Sequence, residues 1–171
     1  MHLIVDIDGT LFDNTQRLHL VPKDPSHTEN WIPFNKACED DAPIPHIINQ
    51  VCKLFEMDQL SQPRLDFLTS RGADALPETH RQLSKYFDMH RGNINLYMRA
   101  MDCYLPPADY NYGMLRLMFK QGISQIKPVI LFDDHPAVID MVQKHFPFIT
   151  TVQVPSQCIT VTNDLDQHSK T

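Results

Sequence analysis

"MHLIVDIDGTLFDN", residues 1–14, decides the fold. Leu3, Ile4 and Val5 form an apolar run that reads as a short buried strand, and it leads straight into Asp6 and Asp8, followed by Gly9 and Thr10. Like charges at the edge of a core are costly unless a cation, a proton or a reaction compensates them. Something must hold these two carboxylates in place.

Four more segments have the same strand character: Leu65 to Ser70, Ile94 to Met98, Val129 to Phe132 and Ile149 to Val154. Between them the apolar residues fall at helical spacing. Ile44, Ile47, Ile48, Val51, Leu54 and Phe55 predict a core-facing helix with Pro43 near its start. Leu76, Thr79, Leu83 and Phe87 predict a second, Met114, Leu115, Met118 and Phe119 a third, and Val138, Ile139 and Val142, opening near Pro136, a fourth. Strands alternating with helices predict a parallel sheet of about five strands, covered on both faces and joined by right-handed crossovers. Ligands of such sheets bind beyond the carboxyl ends of the strands.

Three strand ends then share one edge: Asp6-Ile7-Asp8-Gly9-Thr10, Thr69-Ser70-Arg71-Gly72, and Asp133-Asp134. They bring four carboxylates, hydroxyls and a guanidinium to one crevice. Mg²⁺ prefers oxygen ligands and keeps waters and substrate phosphate in its shell, so this donor set suits it. Taken singly, each motif has a plainer explanation: an Asp-Gly pair makes a turn, and Asp133-Asp134 could cap the helix near Pro136. Their joint occurrence at three strand ends outweighs those explanations.

The 171 residues suit one domain, assigned to 1–160 with a possible small flap at 11–42 and a polar tail at 161–171. Apolar residues at 42% and charged residues at 21% are ordinary for a folded soluble protein. A net charge of −6 argues against a broad electrostatic footprint for nucleic acid. Cys38, Cys52, Cys103 and Cys158 lie far apart with no CxxC, so neither a zinc site nor a disulfide framework is expected. No signal peptide and no apolar run of about 18 residues is visible, so a cytoplasmic protein without membrane contact is expected. Trp31 and Phe34 stand without neighbouring basic residues, which favours packing over base stacking. His135 reads as a helix-start residue.

The order and spacing of "DIDGT", "LTSR" and "FDD" resemble the first, second and fourth motifs of the haloacid dehalogenase (HAD) superfamily of phosphatases. "MRAMDCYLPP" followed by "ILFDDHPAVIDM" is most similar to the phosphatase domain of phage polynucleotide kinase/phosphatases and small phage relatives. The resemblance implies a HAD-like Rossmannoid three-layer sandwich. It further implies that Asp6 attacks phosphorus to form an aspartyl-phosphate, and that Asp8 protonates the departing oxygen and later activates water. Mg²⁺ would be held by Asp6, Asp133 and the main-chain carbonyl of Asp8, with Asp134 adjacent. Thr69 and Arg71 would contact the phosphoryl group. Gly9, Thr10, Ser70, Arg99 and Asn111 are the candidate substrate contacts. Because two carboxylates this close cannot both ionise cheaply without a cation, one pKa of the pair is expected to be pushed upward, which is what an acid/base partner requires near neutral pH.

Superfamily members often carry a large cap, for which this chain has little room, so a minimal cap and an open site are expected. An open site admits a nucleotide or a nucleic-acid terminus, and no protein partner is expected. No GxxxxGK[ST] is present, so the kinase half of the two-domain phage enzymes has no counterpart here. One departure stands out: Asn111 occupies the place of the superfamily's third-motif lysine. That departure motivates an alternative, a catalytically weakened member that binds a phosphorylated ligand or a partner protein.

Overall fold

The computed structural model describes residues 1–57, 63–120 and 128–155. The expected tail at 161–171, Cys158 and Lys127 lie outside them. In chain order the strands are β1 (His2–Val5), β2 (Phe12–Asp13), β3 (Ala42–Pro43), β4 (Arg64–Gly72), β5 (Ile94–Arg99), β6 (Val129–Asp133) and β7 (Ile149–Gln153). The α-helices are α1 (Ile32–Lys36), α2 (Pro45–Met57), α3 (Leu76–Ser84), α4 (Pro107–Lys120) and α5 (Pro136–His145). The main sheet is parallel, in the order β5-β4-β1-β6-β7. This is a three-layer Rossmannoid α/β fold, its central sheet of five parallel strands flanked by helices.

β1 lies at the centre of the sheet because every one of its residues is buried, and its side chains supply both faces. Leu3 and Val5 pack with Leu65 and Phe67 of β4 under α2 and α3, in a core that includes Ile47, Ile48, Val51 and Leu83. Ile4 faces the other way and joins Leu68, Leu131 and Val129 beneath Leu115 and Met118 of α4 and Val138, Ile139 and Val142 of α5. At the amino end of the sheet His2 Nε2 lies 2.8 Å from Asp66 Oδ2, which also receives Arg64 Nε at 2.8 Å. These polar groups pair with one another where the strands begin, at the end of the sheet opposite Asp6 and Asp133.

Several boundaries differ from the sequence expectation, each for a tertiary reason. Pro43 is not in the helix, because it pairs with Phe12 in the short antiparallel β2–β3 ladder, and α2 opens two residues later at Pro45. Proline is tolerated at such a sheet edge. Leu76 opens α3 but is 48% exposed; the inward face is Thr79, Gln82 and Leu83, so two polar side chains point into the interior. β4 continues through Ser70 to Gly72, and its register against β5 shifts between Leu68 and Gly72. That irregularity lets Thr69, Ser70 and Arg71 depart from strict alternation at the edge where the site forms.

The segment between β2 and β3 is the small flap. Its neck is closed by the β2–β3 pair and by the Ile44 N–H donating to Leu11 O at 2.8 Å. Inside the neck the chain folds into 3₁₀ turns at Thr15–Leu20, Thr28–Trp31 and Ala37–Asp40 around the short helix α1.

Candidate active site

Asp6 follows the last residue of β1, Asp133 ends β6, and Asp134 follows it. One carboxylate oxygen from each lies within 4.8 Å of the other two. Burial pushes the Asp6 carboxyl well above its ordinary range, and the charges of Asp133, Asp134 and Asp8 push it further. Asp133 is raised to about 7, by burial first and then by Asp134. Asp134 is also raised, again chiefly by burial. Three crowded, desolvated carboxylates with no cationic side chain of their own are a fit for a hard divalent cation, whose charge would restore their ionised forms.

The turn after β1 brings this about. Leu11 N–H donates to Ile7 O at 2.9 Å and Gly9 N–H to Phe12 O at 2.8 Å, so the chain doubles back immediately past Asp8. Gly9 has φ +78°, and a Cβ there would lie 2.4 Å from Asp134 Oδ2. Glycine is needed both for the backbone turn and for the space that Asp134 fills. Thr10 is buried, and its hydroxyl donates to Asp6 Oδ2 at 3.3 Å. Asp133 Oδ1 accepts the His135 N–H at 2.8 Å, and His135 itself caps α5, its Nδ1 accepting from Ala137 N–H at 3.2 Å.

The Asp8 carboxylate is taken up by arginines. Arg71 Nε donates to Oδ2 at 2.9 Å and Arg71 Nη2 to Oδ1 at 2.7 Å, while Arg17 Nη2 also pairs with Oδ1. Burial alone would raise Asp8, yet Arg71 and Arg17 outweigh it and hold the carboxyl below its ordinary value. One member of the pair is raised as expected, but it is Asp6 and not the acid/base candidate Asp8, because the compensating cations stand beside Asp8; Asp133 is raised as well.

Arg71 also departs from expectation. Its guanidinium is fully buried, and Nη1 donates to Thr79 Oγ1 at 3.1 Å and Gln82 Oε1 at 2.8 Å, so it serves Asp8 from beneath instead of reaching toward a ligand. Thr69 is buried and accepts the Arg71 N–H at 3.2 Å, and it lines the cleft beside Ser70. Asn111 lines the cleft too, though its Nδ2 donates to Pro107 O at 3.0 Å within its own helix. Lys120, nine residues further along and roughly 13 Å away by helical rise, ends α4 exposed and is not part of the cleft.

Sequence reasoning missed the support beneath Asp8. Arg17 is buried and reaches Asp41 with Nε at 2.9 and 3.0 Å, donates to Phe34 O at 2.9 Å, and lies 4.1 Å over the Phe34 ring. Gln82 Nε2 donates to Cys38 O at 2.6 Å. Arg17 and Asp41 belong to the flap, so the flap is ionically tied to the central strand end. Phe34 and Trp31 are packed as expected, ring against ring at 5.5 Å. Both also line the cleft, a space of about 460 Å³ whose other wall is Arg99, Tyr104, Leu105 and Pro106. Its size falls in the range usual for small-molecule sites, about 300–1,000 Å³.

No family model matches the chain. No curated protein sequence matches it significantly either. Solved structures do. A chain in the structure of the Pnkp1/Rnl/Hen1 RNA repair complex superposes with a TM-score of 0.61 at 22% identity, over 90% of this chain and 42% of that one. A second structure of the Pnkp1/Rnl/Hen1 complex gives 0.60 at 20% identity, over 90% and 45%. This chain thus spans less than half the length of either. A HAD-like family hydrolase from Porphyromonas gingivalis, so assigned by prediction, matches at a TM-score of 0.42 and 15% identity over 93% of this chain. These likenesses concern the fold. Among the described residues no helix is long and apolar enough to cross a membrane.

Proposed function

We propose that this chain is a Mg²⁺-dependent phosphomonoester hydrolase that works through an aspartyl-phosphate on Asp6, acting on a nucleotide or a nucleic-acid 3′-phosphate end. The observation that carries this reading is the trio Asp6, Asp133 and Asp134, the second buried and the others half-buried, gathered at the carboxyl edge of the sheet beside an arginine-held Asp8. The fold likeness to a chain of an RNA repair complex supports the substrate class.

Asp6 Oδ forms a bond to phosphorus as the bond from phosphorus to the leaving oxygen breaks, and that oxygen takes a proton from Asp8. Water then attacks the same phosphorus, its proton passes to Asp8, and the Asp6 carboxylate departs unchanged. Asp6, Asp133, the Asp8 carbonyl and Asp134 would hold Mg²⁺, which supplies charge neutralisation and polarises the phosphate. Arg17 and Arg71 keep Asp8 in one orientation and bias it to its ionised form, which suits the water step. The leaving-group step is the harder one for such an Asp8, so activated aryl phosphates are the better substrates, and Asp8→Asn costs least on them.

The test is phosphate release with Mg²⁺ across nucleoside monophosphates, 3′-phosphorylated oligonucleotides and small sugar phosphates. Turnover of the nucleotide class, abolished by Asp6→Asn, is the expected result; no release from any of the three defeats the reading. A second reading, a weakened member that binds phosphorylated ligands, is favoured by Asn111 at the lysine position and by the distance of Lys120. It requires slow turnover of every phosphate and faster turnover by Asn111→Lys.

A further inference from the structure

Arg99, the last residue of β5, is the cation of the cleft wall that the aspartates do not use. Its Nε and Nη2 are shielded from solvent, and no acceptor among the described residues reaches them. Its guanidinium carbon lies 5.1 Å from the centre of the Tyr110 ring. A half-buried guanidinium with two shielded, idle donors is unfavourable unless an anion completes it. Arg71, the other arginine of the cleft wall, is by contrast spent on Asp8, Thr79 and Gln82.

The position of Arg99 says which anion. β5 is two strands away from β1, a lateral offset of about 10 Å at the usual strand spacing. Among the described residues none of the four site aspartates pairs with Arg99, whose Nε and Nη2 stay unpartnered. A phosphoryl group seated on Asp6 is therefore separate from an anion seated on Arg99. Both nevertheless open into one cleft, and Pro106, Pro107 and Asn111 bring the amino end of α4, with its positive dipole, to the same wall.

We infer that Arg99 receives a second phosphate of the substrate, so that the preferred ligand is a phosphomonoester carrying a further phosphate: a nucleoside bisphosphate or the adjoining phosphodiester of an oligonucleotide. This rests on Asp6 as the seat of the reacting phosphoryl group, and binding is therefore measured apart from turnover. The full chain carrying Asp6→Asn is titrated calorimetrically with Mg²⁺ and three probes: a nucleoside 3′-monophosphate, a nucleoside 3′,5′-bisphosphate and a 3′-phosphorylated dinucleotide. A charge-assisted contact corresponds to about 10- to 100-fold in affinity, and the two-phosphate probes should bind more tightly than the monophosphate by that factor. Adding Arg99→Gln should bring all three within threefold of one another, while Arg99→Lys, a point charge without the fork, keeps part of the difference. Equal gains for bisphosphate and dinucleotide identify any second phosphate as the ligand; a gain for the dinucleotide alone identifies the phosphodiester of a chain.

Among the described residues Arg99 makes no ion pair, so Arg99→Gln should melt no lower than its parent. Should it fail to fold, the Arg99→Lys comparison decides. Equal affinity of all three probes before Arg99 is changed overturns the inference, as does an equal loss for all three in Arg99→Gln, which would put the guanidinium at the reacting phosphoryl instead. If the unmodified chain releases no phosphate from any compound but this binding pattern holds, the hydrolase reading fails and the second-phosphate site stands.

Discussion

Replacing Arg17 by methionine isolates the ionic tie between the flap and the strand end. The substitution keeps much of the aliphatic stem but removes the contacts to Asp41, Asp8 and Phe34 O. Asp41 is left with no exposure and two weaker partners, Gln16 Nε2 at 3.3 Å and Arg71 Nη2 at 3.6 Å. Deleting one member of a buried ion pair costs about 3–5 kcal/mol, and the nearby Arg71 places this case at the lower end, about 3 kcal/mol. For a domain of this size that corresponds to a fall in Tm of roughly 6–12 °C. The pH dependence separates charge from packing. Burial already raises Asp41 above its ordinary value, and losing Arg17 raises it further. A carboxyl whose folded-state pKa is raised contributes stability that is complete below its unfolded pKa and is lost as pH rises through the folded one. The deficit of Arg17→Met should therefore be larger at pH 8 than at pH 5 in urea unfolding, and Asp41→Asn in the same chain should recover part of it. A deficit under about 1 kcal/mol, or one equal at both pH values, would refute the assignment of a buried, structurally required pair.

Without added metal, stability should decline as pH climbs from 3.8 toward 7, because Asp133 is raised across that window, and Mg²⁺ should reverse the decline in the unmodified chain but much less in Asp133→Asn. Differential scanning fluorimetry with and without Mg²⁺ reads both effects; Mg²⁺ acting equally on the two proteins would count against Asp133 as a ligand. Asp6→Asn should abolish phosphate release and yet raise the metal-free melting temperature above neutral pH, since it removes a charge that burial and three neighbouring carboxylates oppose; a melting temperature well below that of the parent would contradict that account. Gly9→Ala should destabilise by about 1–3 kcal/mol and lower turnover, because the backbone has φ +78° and the methyl would displace Asp134; chemical denaturation alongside the phosphate assay checks it.

What could be read from the sequence is what depends on local pattern. β1 and β6 are apolar runs, and β4 is one but for Asp66, because both faces of a central parallel strand are buried; their ends are marked by an abrupt change to Asp6, Thr69 and Asp133. The buried supports of the site are different in kind. Arg17 meets Asp41 across 24 positions and Asp8 meets Arg71 across 63, so nothing in the neighbourhood of either residue signals that its charge will be paired and desolvated. Gln82 looks like the solvent side of a short amphipathic helix, yet it is buried and meets the arginine beneath Asp8. The choice between Pro43 and Pro45 as the start of α2 was likewise decided by Phe12, some thirty positions away in a segment without periodicity.

The flap is anchored at its neck and at Arg17–Asp41, whereas its outer part, Pro25 to Trp31, meets the opposite wall through side-chain contacts such as Thr28 Oγ1 to Cys103 O at 2.8 Å and Tyr104 Oη to Glu29 Oε1 at 2.9 Å. This divides the segment into a part that mutation can hardly touch and a part that can drift. Exchanging the outer stretch between related chains should retune which molecules enter while leaving Asp8 oriented, so new specificities can arise there without rebuilding the reaction centre. A graft that carries the outer stretch but omits Arg17 or Asp41 would instead leave Asp8 to be held chiefly by Arg71.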